Sequence, residues 1–132
     1  MAKAKKVKQI SFGTKDRAGL LAEVTAAIAK ARVNITAICA YGMDKKAYFM
    51  LNTSSNAKAK KALSRLGAKI DEDNVVAVEM PNRTGALKQV AKQIGDAGIN
   101  IYYMYGTAVA GKTAICIFKT ANDAKAIKVI NK

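Results

Sequence analysis

The chain has 132 residues but no histidine, two cysteines, and nine acidic residues against 23 basic ones. Without histidine the commonest general base and the commonest zinc ligand are both missing, so the expectation is a protein that is not an enzyme and holds no metal or cofactor. Cys39 and Cys116 belong to no CxxC pair and sit in strand-like runs, which predicts buried free thiols. No uncharged apolar run reaches the roughly 18 residues that a spanning helix needs. The basic opening Met1–Lys6 is followed by strand-like alternation, not by a secretory apolar block. These absences predict a cytoplasmic protein without membrane contact. Arginine is also scarce, at positions 17, 32, 65 and 83 only, so lysine carries most of the net charge of +14. Scattered lysine reads as a solvated surface with nonspecific electrostatic attraction, because forked contacts to phosphate or guanine favour arginine.

What is present is repetition. Asp16-Arg17-Ala18-Gly19 opens a segment running to Asn34-Ile35, and Asn82-Arg83-Thr84-Gly85 opens another running to Asn100-Ile101, 66 positions later. Thr53–Ala59 returns as Thr120–Ala126, 67 positions later, so one residue has been gained between the two blocks. A duplication implies two small units of like fold, each too small to bury a large core alone.

Within each copy the periodicity alternates between strand and helix. Ile10 and Phe12, then Val76 and Val78, mark first strands. Leu21, Val24, Ile28 and Ala31 recur as Leu87, Val90, Ile94 and Ala97 and predict one apolar helix face. Further strands are expected at Asn34–Tyr41 and Asn100–Val109, and at Ala47–Asn52 and Thr113–Lys119. Second helices are expected at Ala57–Leu66 and Asp123–Ile130. Ala68–Ile70 reads as a short fourth strand before an acidic linker, Asp71–Asn74. The predicted fold is α+β: two tandem ferredoxin-like βαββαβ units, 7–73 and 74–132, with antiparallel sheets and helices on one face. The second unit lacks its last strand, so the other repeat or a second chain is expected to cover that edge. The third strands, Ala47–Leu51 and Ala114–Phe118, are apolar throughout. Continuous apolarity suggests two covered faces, hence a partner sheet in a homodimer.

The segments Asp16–Val24 with Asn34-Ile35, and Asn82–Leu87 with Gly98–Ile101, resemble the signature of the ACT domain, and the likeness extends over nearly the whole chain. That resemblance implies a regulatory protein that binds an amino acid or another small effector between paired units and passes the signal to a regulated enzyme partner. It also implies ligand contacts from Asp16, Ala18, Gly19, Leu20, Asn34 and Ile35 in one copy. In the other copy the matching positions are Asn82, Thr84, Gly85, Ala86, Asn100 and Ile101. A helix N-terminus behind a glycine turn offers backbone N–H groups and a positive dipole end to a carboxylate. Asn supplies both a donor and an acceptor to a zwitterion. The same asparagines could merely shape turns, and Asp16 and Asn82 could merely open helices. Arg17 and Arg83 read as solvated or structural. Many family members have proline before the glycine, where this chain has Ala18 and Thr84, so a looser turn is expected.

Two other motifs need an answer. Gly106–Thr113 fits the phosphate-loop pattern G-x-x-x-x-G-K-[ST], but a strand-like run follows it where that mechanism requires a helix. Tyr102, Tyr103 and Tyr105 cluster on one strand of a topology shared with RNA-recognition modules, which makes a basic nucleic-acid-binding protein the alternative function. Lys46–Leu51 lacks the glycines and aromatic alternation of such modules, so the expectation is against a nucleic-acid partner.

Overall fold

The computed structural model describes residues 2–108 and 110–132. In chain order the elements are β1 (Lys3–Lys15), α1 (Leu20–Lys30), β2 (Ile35–Met43), β3 (Lys46–Thr53) and α2 (Asn56–Ser64). These are followed by β4 (Asp71–Pro81), α3 (Ala86–Asp96), β5 (Ile101–Thr107), β6 (Thr113–Thr120) and α4 (Asp123–Asn131). The expected strand end at Val109 lies outside the described residues. The fold is α+β, with two compact units: Lys8–Asp73, and the chain up to Val7 together with Asn74–Lys132.

In the first unit the strand order is β2-β3-β1-β4, with β1 and β2 both antiparallel to β3. Ile10, Phe12, Phe49 and Leu51 project toward α1 and α2 and form the core with Leu20, Val24, Ile28, Ala59 and Leu63. Phe12 stacks on Phe49 with ring centroids 4.9 Å apart. Tyr48 and Met50 alternate to the opposite sheet face and are half-buried. The second unit has the order β1-β4-β6-β5 and a core of Val76, Val78, Val90, Ile94, Phe118 and Ile130.

The strand that the second copy lacks at its end comes from the beginning of the chain. Lys3–Val7, which overlaps the basic opening of the sequence, is strand, and Ala4 is buried in the second core. The amide of Ala4 donates to Asn131 Oδ1 at 2.7 Å, and its carbonyl accepts from Asn131 Nδ2 at 2.8 Å. Conversely, the fourth strand of the first unit is not Ala68–Ile70 but the start of β4, Asp71–Asp73. The acidic stretch expected as a linker is therefore paired backbone, with Glu72 bound by Lys60 Nζ at 2.9 Å and by Asn56 Nδ2 at 3.2 Å.

The helices obey a slightly different stripe from the one expected. Leu20, Val24 and Ile28 are buried while Leu21 is 53% exposed; likewise Ala86, Val90 and Ile94 are buried while Leu87 is 44% exposed. Spacing of four residues keeps positions 20, 24 and 28 on one stripe, and residue 21 lies about 100° off it. The α2 and α4 N-termini are capped alike, Ser55 accepting from Lys58 N and Asn122 accepting from Lys125 N. Those caps account for the second repeated sequence block.

Candidate functional site at the glycine turns

Each copy turns from its first strand into its first helix through the same backbone geometry. The amide of Asp16 donates to Lys45 O at 3.0 Å, and that of Asn82 donates to Lys112 O at 2.9 Å, so each turn is tied to its own β-hairpin. Leu20 N donates to Arg17 O, and Ala86 N to Arg83 O, closing each turn with Ala18 and Thr84 before the glycine. Gly19 has φ 84° and Gly85 has φ 87°, the left-handed region that favours glycine. Neither helix has a side-chain cap. Because the amides of Leu20 and Ala86 are used within the turns, the open donors are the next two of each helix, Leu21 and Ala22, and Leu87 and Lys88. They sit at the positive end of the helix dipole.

Asp16, Ala18, Gly19, Asn82, Thr84 and Gly85 are exposed around these donors. Leu20 and Ala86 instead point into the cores, and Ile35 and Ile101 pack against them half-buried. The sequence placed Leu21 and Leu87 in the core; both are exposed apolar side chains beside the open amides.

Asn34 and Asn100 are exposed at the other end of the same helices. Their carbonyls are held alike, Ser54 N donating to Asn34 O and Ala121 N to Asn100 O, both at 2.9 Å, but among the described residues only Asn34 N also donates to a side chain, Ser54 Oγ at 2.9 Å. A β-bulge follows each, between Ile35 and Ala37 and between Ile101 and Tyr103. It leaves Tyr102 62% exposed. Gly19 and Asn34 flank α1, and an eleven-residue helix is about 16 Å long, so one unit alone does not bring its turn and its asparagine together.

The fittings around the two turns differ. Asn82 Nδ2 donates to Gly111 O at 3.1 Å. The Asp16 carboxylate instead lies over Gly42, where an added Cβ would stand 2.9 Å from Oδ2. Arg17 is ion-paired with Glu23. Arg83 has Gln89 in the matching place and lines a cavity of about 150 Å³ with Ala86, Gln93 and Asn131. The sequence treated the two arginines alike; the Glu23 to Gln89 change was the signal that separates them.

The phosphate-loop pattern has a plain structural explanation. Thr113 begins β6, not a helix. Gly106 pairs with Cys116 across the β5–β6 ladder, and a Cβ there would stand 2.4 Å from Cys116 Sγ. Its glycine is required by packing. Burial also pushes the Cys116 thiol above its ordinary pKa, which keeps it protonated and unreactive. Among the described residues no group of three or more His, Cys, Asp or Glu side chains could hold a metal, and no helix is long and apolar enough to cross a membrane.

The family model for the ACT domain pair matches residues 5–132. The chain belongs to that family. Protein BT0572 from Bacteroides thetaiotaomicron is 30% identical, with 97% of this chain and 88% of that one covered and a TM-score of 0.88. The ligand-free regulatory subunit of aspartate kinase from Thermus thermophilus shares the ACT pair fold at 15% identity and TM-score 0.69, covering 97% and 94% of the two chains. The regulatory subunit from Thermus flavus does so at 16% identity and TM-score 0.66, covering 98% and 95%. A comparison with curated proteins found no match. Membership of the ACT pair family supports a ligand-binding regulatory role.

Proposed function

We propose that this ACT domain pair is a non-enzymatic sensor that binds an amino acid at its glycine turns and passes the binding state to a partner enzyme. The observation that carries the reading is the pair of uncapped helix N-termini behind Gly19 and Gly85, each with open amides and exposed polar neighbours. Such a cradle suits a carboxylate. The asparagines at the far end of each first helix, Asn34 and Asn100, would come from a neighbouring unit and hold the ammonium and carboxylate edges of the ligand. The Thermus thermophilus and Thermus flavus relatives in fold are regulatory subunits, in keeping with a chain that modulates an enzyme.

The partner sheet of a homodimer would cover the face opposite the helices. Tyr41 and Tyr48 stack there with ring centroids 5.3 Å apart, and Cys39 and Met50 pair beside them half-buried. Apolar side chains of this kind on an open sheet face favour association.

A thermal-shift screen against the twenty amino acids tests the reading, because a ligand selective for the native state raises the melting temperature. Titration calorimetry should then show Asn100→Ala weakening the hit by about 1–3 kcal/mol, the cost of leaving polar groups unpaired. No shift with any amino acid would remove the amino-acid reading, and unchanged affinity in Asn100→Ala would remove Asn100 from the site.

A further inference from the structure

The second surface that separates the two copies lies between the two helices of the first unit, away from the glycine turn. A groove of about 460 Å³ runs there over a floor of Ala27, Ala31, Ala62 and Leu66. Its rim carries Lys30 from α1 and Lys58, Lys61 and Arg65 from the α2 side. All four cations are exposed, and no acidic residue lines the groove. None of the four is ion-paired among the described residues.

The matching helices of the second unit are bridged. Gln93 stands where the first unit has Ala27, and its Nε2 donates to Val129 O at 3.1 Å. Lys125, the counterpart of Lys58, donates to Ala97 O at 3.0 Å. Val129, a larger side chain, stands at the place of Ala62. One copy has closed this seam and the other has left it open and lined it with positive charge.

We propose that the groove is a docking site for an acidic amphipathic helix of a partner protein. The occupant follows from the arrangement of charge and floor. Lys58, Lys61 and Arg65 recur three and four residues apart, so they form a stripe roughly 10 Å long on one helix face. A single phosphate or carboxylate ligand calls for donors that converge, whereas a stripe matches carboxylates repeated at helical spacing on a facing segment. The alanine floor admits close approach of apolar side chains, which a nucleic-acid backbone does not offer. The site needs no effector and stands independently of the amino-acid reading.

The test is selection of a displayed library of random 15-residue peptides on the full chain, with a parallel selection on a Lys58→Glu/Lys61→Glu/Arg65→Glu variant. Enriched peptides should carry Asp or Glu and Leu or Ile at helical spacing. Their synthetic versions should bind at least tenfold more weakly to the variant, measured by fluorescence anisotropy, and equally well to a Lys125→Glu/Lys128→Glu control. Circular dichroism and thermal unfolding establish that both variants remain folded. Peptides that lack acidic residues, equal binding to the triple variant, or displacement by a 15-nucleotide single strand at the same concentration as by free peptide would each overturn the proposal.

Discussion

The two units share a backbone plan and diverge in how polar side chains finish it. Both close their glycine turns onto a hairpin carbonyl, both cap their second helix with a side-chain oxygen, and both place a bulge after the asparagine that opens the next strand. Yet the first turn carries a carboxylate and an Arg17–Glu23 pair, while the second carries an amide bonded to Gly111, with Arg83 beside a cavity. The first helix pair is open and cationic, whereas the second is bridged by Gln93 and Lys125. Packing fixes what the copies retain, and what they have exchanged lies on surfaces that packing leaves free. On the proposed function Asp16 would repel a ligand carboxylate that the neutral Asn82 would not, so the two cradles should differ in affinity or in ligand orientation.

The largest test of this comparison removes the strand that only the second unit borrows. Deleting residues 2–6 should destabilise that unit by roughly 3–5 kcal/mol, because it removes paired backbone and the buried Ala4 together. Hydrogen exchange should show Val76, Val78 and Phe118 losing protection well before Ile10, Phe49 and Leu51. Uniform loss across both units would mean that they unfold as one.

A smaller contrast concerns glycines facing rigid and movable neighbours. Gly106→Ala should cost about 1–3 kcal/mol in urea denaturation, because the new methyl meets Cys116 Sγ and, at 3.0 Å, the Ile115 carbonyl. Gly42→Ala should cost clearly less, because the exposed Asp16 carboxylate can swing away. Equal costs would show that Asp16 is held more firmly than its exposure suggests.

The ends of the first helices give a third comparison. Arg32 adopts φ 60° where the second copy has Gly98 at φ 71°. Arg32→Gly should stabilise by up to about 1 kcal/mol, and Gly98→Arg should destabilise by about 1–2 kcal/mol, following the left-handed penalty for a side chain. The pair can be read from midpoints of chemical denaturation, and effects of the same sign would contradict it.

The weakest expected effect is electrostatic and confined to the first unit. The hydrogen bonds from Lys60 and then Asn56 lower the Glu72 pKa below its ordinary value of 4.5. Folding therefore gains stability from this group above that value, and the gain fades as pH falls through the lowered folded pKa. Glu72→Gln should flatten only that acid limb of the stability profile, and a change confined to neutral pH would rule the group out.

The residues disclosed the repeat, the unit plan and the turn because each rests on local chemistry: glycine at a left-handed position, a capping side chain, alternation along Ile10 and Phe12. What escaped depended on long-range pairing. Nothing local distinguishes Lys3–Val7 from a solvated basic tail; only the vacancy beside β4 and the two bonds from Asn131 give it a place. The acidic run at Asp71–Asp73 looked like a linker because its partners, Lys60 and Asn56, lie more than ten residues away. The Leu20-Leu21 pair offers two candidates for the helix's buried stripe, and the burial of Leu20 decides between them. At the candidate site the turn was legible, but the use of the Leu20 and Ala86 amides, and hence which donors stay open, required the backbone geometry.

The clasp between Ala4 and Asn131 sets the opening and closing stretches of the polypeptide side by side. A circularly permuted gene should thus be feasible, with a short flexible link joining Lys132 to the beginning and new ends cut at Gly67, which lies between α2 and β4 at φ 77°. Such a permutant would render the second unit, Asn74–Lys132 followed by the stretch up to Val7, as one uninterrupted run of sequence, while Asp71–Asp73 would reach the first unit from the new beginning of the chain.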